Sequence, residues 1–149
     1  MIKKIMIATD GSDASRKAAI AGVEIARAFC SEVTSVYVVD THRLKSLYGY
    51  ASLPGLKDKL LDLMLQEGES ATSEVAKMAS DAGLSSRKIV AEGDPSSELL
   101  SISQESDIDM IVIGGIGRSG MSKFLLGSVA EKVIRHSAVP VMLVPNIEI

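Results

Sequence analysis

The residues of this chain best suited to chemistry are the run Gly114-Gly115-Ile116-Gly117-Arg118-Ser119-Gly120. It follows directly on an apolar, β-branched stretch, residues 110–113, that reads as a buried strand. Glycines in such a position remove side chains, so a ligand can approach the backbone, and they permit positive φ. Gly115, Gly117 and Gly120 spell G-x-G-x-x-G, but that dinucleotide fingerprint requires an acid about twenty residues further on. Here that region is Ser137-Ala138-Val139-Pro140, which contains none. Gly115 and Gly120 also have the P-loop spacing, yet Met121 stands where the phosphate-binding lysine belongs and Lys123 comes two positions late. The nucleophile elbow G-x-S-x-G is absent, because Gly120 directly follows Ser119.

A third pattern does fit. Gly114, two residues, Gly117, nine residues and then Gly127-Ser128 give G-x2-G-x9-G-[ST], and this resembles the signature of the ATP-binding branch of the universal stress protein family. The opening Ala8-Thr9-Asp10-Gly11-Ser12 is similar to that family's first-strand motif. The segment from Gly127 through Ile134, with Val139-Pro140-Val141 after it, is similar almost residue by residue, so the resemblance spans the whole chain. It implies a five-stranded parallel sheet of order 3-2-1-4-5 with helices on both faces, a Rossmann-like α/β fold. It implies ATP as ligand, with Mg2+ entering only through the phosphates. The nucleotide site carried over comprises Ala8, Thr9, Asp10, Val38, Gly114, Gly115, Gly117, Arg118, Ser119, Gly120, Gly127, Ser128 and Val129. Within it, the Val38 main chain faces adenine, and the Asp10 carboxylate faces the ribose or a phosphate-bound metal. One departure is visible: Gly115-Ile116 replaces a pair that is commonly polar, removing two donors each worth about 0.5–1.5 kcal/mol.

The physical case for a phosphate site runs parallel to the resemblance. A loop leaving the carboxyl end of a strand where strand order reverses lies over the ligand crevice of a doubly wound sheet. Gly127-Ser128 begins a helix whose free N–H groups and positive dipole end favour an anion. Ser128 adds a hydroxyl donor, and Arg118 and Lys123 add cations.

These residues are positioned by an alternation of strands and helices. Strands are expected at residues 3–9, 33–39, 87–91, 110–113 and 139–144. The first helix takes Ser12 or Asp13 as N-cap and turns Ala18, Gly22, Ile25 and Phe29 to one face. A long helix over 56–82 carries Leu56, Leu60, Leu63, Met64, Ala71, Val75, Met78 and Ala82 as its stripe, with Gly83 closing it. Asp94-Pro95 opens another helix as N-cap and N1 proline, which accounts for that acidic cluster without catalysis. The last helix covers 127–136, with His136 at its carboxyl end complementing the dipole. Cys30 reads as a small apolar filler. The connection from Thr41 to Gly55 is long, and a surface excursion, a ligand-ordered lid and a partner-contacting role all remain open for it.

Composition limits the alternatives. The chain has 149 residues, a net charge of −3 and 3% aromatics, which argues against broad nucleic-acid binding and base-stacking platforms. One domain, residues 1–149, is expected. The apolar stretch 5–8 is too short for a signal peptide, and no run approaches a membrane span. A single cysteine excludes a disulfide framework and fits a reducing cytoplasm. Residues 58–109 carry twelve acids and four bases, whereas 110–149 carry four bases and two acids. The sequence therefore reads as an ATP-binding stress or regulatory protein, with hydrolysis at most slow for want of an evident general base. A non-nucleotide interaction module and an ATP-splitting enzyme of the same fold remain as alternatives. The uncharged strand from Val139 to Val144 falls at a sheet edge by the resemblance, which predicts a homodimer.

Overall fold

The structure is a computed structural model that describes residues 1–47, 55–115 and 126–146. Five strands, β1 (Lys4–Ala8), β2 (Glu32–Asp40), β3 (Ser86–Gly93), β4 (Met110–Gly114) and β5 (Val141–Val144), form one parallel sheet of order β3-β2-β1-β4-β5. Five helices join them: α1 (Asp13–Phe29), α2 (Thr41–Leu47), α3 (Leu56–Asp81), α4 (Pro95–Glu105) and α5 (Ser128–His136). The chain runs outward from β1 through β2 to β3, then returns to lay β4 against the other side of β1. Strand order thus reverses between β1 and β4, as the resemblance implied.

The period-2 pattern of β1 explains why both faces are covered. Ile5 and Ile7 enter a core with Ala18, Ala19, Val23 and Ala26 of α1 and Val75 and Ala79 of α3. Met6 and Ala8 enter the opposite core with Leu99 and Ile102 of α4 and Ala130 and Val133 of α5. Small residues bring the helices close. A Cβ on Gly22 would lie 2.8 Å from Ile7 Cδ1, and one on Gly68 would lie 2.7 Å from Tyr37 Cδ1 and 2.9 Å from Val90 Cγ1. At the amino end of the sheet, the Asp109 carboxylate accepts the Lys3 and Lys4 N–H groups at 2.8 and 2.9 Å, tying β1 to β4. The bonds from Lys4 and then Lys3 hold its pKa below the usual carboxylate value.

Several expectations shift. Residues 41–47 are helix rather than loop, because the Asp40 carboxylate accepts the His42 and Arg43 N–H groups at 3.0 and 3.1 Å and starts a turn there. The remainder of that connection, 48–54, lies outside the described residues. Phe29 is 50% exposed, since α1 ends at it and overhangs the amino end of the sheet. Leu63 is 61% exposed, lying on the opposite side of α3 from Gly68, Ala71 and Val75. Cys30 is not filler: it is exposed and ends α1 in the left-handed conformation, φ 55°, its N–H directed to Ala26 and Arg27 carbonyls. β5 begins at Val141 rather than Val139, because the Ser137 hydroxyl donates to Val139 O at 2.7 Å and accepts its N–H at 3.1 Å. Ser12 is the N-cap of α1, and Asp94 and Pro95 open α4 as expected.

The Gly68 contact yields a stability test. Gly68→Val should lower the unfolding free energy by about 1–3 kcal/mol through overpacking against the Tyr37 ring. Urea denaturation of the parent and the variant measures it, and an unchanged midpoint would contradict the close approach of α3 to β2.

Candidate functional site

A cavity of about 470 Å3 opens at the carboxyl ends of β1, β2 and β4. It lies at the strand-order reversal, where ligands of open parallel sheets bind, and its size falls in the range of small-molecule sites. Ala8, Thr9 and Asp10 from the end of β1, Val38 from β2, Gly114 from β4, and Gly127, Ser128 and Val129 at the start of α5 all line it. The structure thus brings together eight of the thirteen residues singled out from the sequence. Gly117, Arg118, Ser119 and Gly120 lie outside the described residues. Gly115 is buried and outside the lining: its N–H donates to Val144 O at 3.1 Å, and its C=O accepts the Gly127 N–H at 2.7 Å. That second bond joins the two ends of the glycine-rich segment and sets α5 directly beside the end of β4.

The turn after β1 is held by a directed chain of hydrogen bonds. Ser15 Oγ donates to Ser12 O at 2.9 Å, which spends its only proton. The Thr9 hydroxyl, 3.1 Å from Ser15 Oγ, must therefore donate to it, and it accepts the Gly11 N–H at 3.2 Å. Asp10 Oδ1 accepts the Ser12 N–H at 2.9 Å, and the Ser12 hydroxyl accepts the Ser15 N–H at 3.2 Å. Ser12, not Asp10, is the helix cap; Asp10 closes the preceding turn and lines the cavity.

Hydrogen-bond alternation explains how Val38 contributes. Val33 N donates to Ser85 O at 3.0 Å, whereas Glu32 N donates to Lys3 O at 2.8 Å and Val36 O accepts Thr9 N at 2.9 Å. Odd residues of β2 therefore turn their main-chain groups toward β3 and even residues toward β1. Ala8, the last residue of β1, pairs with Val36. Val38 consequently directs its N–H and C=O into the space that β1 has left. A planar ligand with a donor and an acceptor on one edge can meet both.

The start of α5 is the anion-favouring end of the cavity. Gly127 is the N-cap, with φ −63°, and supplies no side-chain bond. The N-termini of α1 and α4 are capped by Ser12 and Asp94. Ser128 is the first residue of α5 and exposed. Gly114 lines the cavity as expected and has a packing task besides. Its φ is not positive, and a Cβ there would lie 3.3 Å from Ala14 O in the first turn of α1. Its small size lets β4 pack against that turn. Sequence reasoning also missed Ser15, Tyr37, Asp40, Arg43, Met64, Pro95, Leu99 and Ile113, which complete much of the wall. For Asp40 and Arg43 a signal was present, since Asp40 directly after an apolar run is a helix-start residue. Among the described residues there is no cluster of three or more His, Cys, Asp or Glu side chains able to hold a metal. No helix among them is long and apolar enough to cross a membrane.

An all-parallel, doubly wound sheet with its cavity at the reversal point defines an α/β protein of the Rossmann-like class. The profile of the Universal stress protein family matches residues 1–145, and the chain belongs to that family. Universal stress protein MJ0531 of Methanocaldococcus jannaschii is 38% identical over 146 residues, covering 97% of this chain and 82% of the relative. The solved structure of MJ0577 from the same organism superposes with a TM-score of 0.81 at 27% identity, over 100% of this chain and 99% of the other. Two neighbours share the fold with nucleotides bound. One, from Archaeoglobus fulgidus, is in complex with dAMP (22% identity, TM-score 0.67, 96% and 97% of the two chains). The other is in complex with cAMP (23% identity, TM-score 0.71, 98% of each chain).

Asp94 separates capping from binding. Its carboxylate accepts Ser97 Oγ at 2.8 Å, Ser97 N at 3.1 Å and Ser96 Oγ at 2.9 Å. The Ser97 hydroxyl, then the Ser97 N–H and the Ser96 hydroxyl, hold its pKa below the ordinary value. A depressed folded pKa contributes stability that is present above the unfolded pKa and lost as pH falls through the folded one. Asp94→Ala should therefore lower stability by about 1 kcal/mol at neutral pH. It should also flatten the loss of stability below about pH 4, with ligand affinity at neutral pH unaltered. Chemical denaturation across that pH range checks it, and an unflattened profile would remove Asp94 from the acid response.

Proposed function

We propose that this chain binds an adenine nucleotide, ATP, in the cavity at the reversal point and acts as a nucleotide-responsive stress or regulatory protein. The observation that carries this reading is the arrangement of three groups along one cavity wall. The Val38 main chain lies at the end of β2, Asp10 at the end of β1, and the side-chain-uncapped start of α5 beside the end of β4. This order suits base, ribose and phosphates in turn. The fold neighbours solved in complex with dAMP and cAMP support this reading. The phosphate end takes Gly127, Ser128 and Val129, together with Gly114, Gly117, Arg118, Ser119 and Gly120 from the glycine signature; Gly115, buried behind the lining, only ties the end of β4 to α5 and β5. Ala8 and Thr9 form the floor. Mg2+ enters, in this reading, only on the phosphates. A reducing cytoplasm suits the single cysteine.

Calorimetry on folded variants tests the cradle. Gly117→Val should reduce ATP affinity severely, because a β-branched side chain adds bulk and resists positive φ. Ser128→Ala should cost about 1–3 kcal/mol, or roughly five- to 150-fold. Nucleotide released by acid from the purified protein and identified by chromatography provides the direct check. Parent-like ATP binding by Gly117→Val would remove the glycine loop from the site.

The free edge of β5 supports assembly. Among the described residues β5 pairs with β4 on one side only; it carries no charge and leaves Leu143 37% exposed. In this reading two copies pair through it antiparallel, as an isologous homodimer. Light scattering should report a dimer at tens of micromolar protein, converted toward monomer by Leu143→Lys. A monomeric parent would refute it.

A further inference from the structure

The nucleotide reading leaves one cation of the cavity wall without a task. Arg43, on α2, lines the cavity, as do Val38, Met64 and Pro95. Its guanidinium makes no hydrogen bond or ion pair with any described residue. Several cations away from the cavity are engaged, among them Arg16 with Asp13 and Glu74, Lys88 with Glu69, and Arg135 with Glu131. The backbone of Arg43 is nevertheless fixed. Its N–H donates to Asp40 Oδ1 at 3.1 Å, and the adjacent Leu44 is buried. The cation is therefore delivered to the cavity mouth by the main chain, with its planar head uncommitted.

Its position decides which part of a nucleotide it meets. Adjacent strands lie about 4.8 Å apart, so the end of β2 is roughly 10 Å from the end of β4, where α5 begins. Phosphates seated at α5 thus lie on the far side of the cavity from Arg43, which is rooted on α2 just past the end of β2. Asp40 also lines the cavity at this end, so a phosphate here would face a carboxylate. The cavity lining contributed by β2, α3 and α4 is otherwise mostly apolar, with Val36, Val38, Met64, Pro95 and Leu99 beside Tyr37. An apolar slot closed by a planar cation suits the face of an aromatic base, because the guanidinium stacks on a π-system while its edge stays hydrated.

We propose that Arg43 covers the purine ring of the bound nucleotide by stacking, and so sets the affinity of the base end independently of the phosphates. This rests on the nucleotide reading above. The test is isothermal titration of adenosine, AMP and ATP into the full-length parent chain and Arg43→Ala, with circular dichroism confirming that the exposed substitution leaves the fold intact. Stacking predicts the same loss for all three ligands, about fivefold, the equivalent of about 1 kcal/mol. A loss that grows from adenosine to ATP would make Arg43 a phosphate ligand and overturn the proposal. Unaltered affinities for all three would overturn it as well, leaving the nucleotide reading in place. A parent chain that binds none of the three would instead overturn the nucleotide reading, and the stacking role with it.

Discussion

The carboxyl end of the sheet depends on how the chain leaves β1. β1 stops at Ala8, while β2 continues to Asp40. That mismatch of strand lengths opens the cavity and turns the main chain of Val38 into it. It persists because the Thr9–Ser15 turn is closed on itself: Gly11 N–H to Thr9, Thr9 to Ser15, Ser15 to Ser12 O. Both hydroxyls in that chain are donor and acceptor, so removing that of Ser15 leaves the buried Thr9 hydroxyl without its acceptor, a cost of about 1–3 kcal/mol. Asp10 is presented by the same turn, through its bond to the Ser12 N–H. One local network therefore ends a strand, caps a helix and orients a carboxylate.

Glycine and small residues then govern how closely the layers approach that turn. Gly22 allows α1 to settle on Ile7, Gly68 allows α3 to settle on Tyr37, and Gly114 lets the end of β4 meet the first turn of α1. The last of these couples packing to the cavity, since Gly114 is also part of its wall. A side chain there would press on a backbone carbonyl, which cannot rotate out of the way. The glycine signature read from the sequence is thus partly a packing signature.

The sequence conveyed the architecture because its signals were redundant. β-branched runs bounded by Gly, Asp and Pro marked the strands, and Ser12 and Asp94 marked helix starts; each agrees with its neighbours in period and punctuation. It failed where a local competitor decided the outcome. The Ser137 hydroxyl claims both main-chain groups of Val139 and delays β5, although Val139 is a good strand residue. Leu63 satisfied the apolar stripe by identity but not by angle, since only the Gly68–Ala71–Val75 side of α3 reaches the sheet. α2 escaped notice because a helix of only seven residues gives too little periodicity, and its cap, Asp40, belongs to the preceding strand. For the same reason half the cavity wall was invisible: Tyr37, Met64, Leu99 and Ile113 look like core until the strand ends uncover them.

The distribution of helix caps gives the cavity its polarity. α1 and α4 also begin near the carboxyl edge of the sheet, and side chains accept their leading N–H groups, Ser12 in one case and Asp94 in the other. α5 begins with Gly127, which has no side chain to offer, and its first residues face the cavity. An anion is best accommodated where donors are not already satisfied by a protein carboxylate or hydroxyl. Asp10 and Asp40 reinforce the bias by placing carboxylates on the β1 and β2 side. In the proposed reading, charge and capping together turn the anionic end of the nucleotide toward β4 and its uncharged end toward β2.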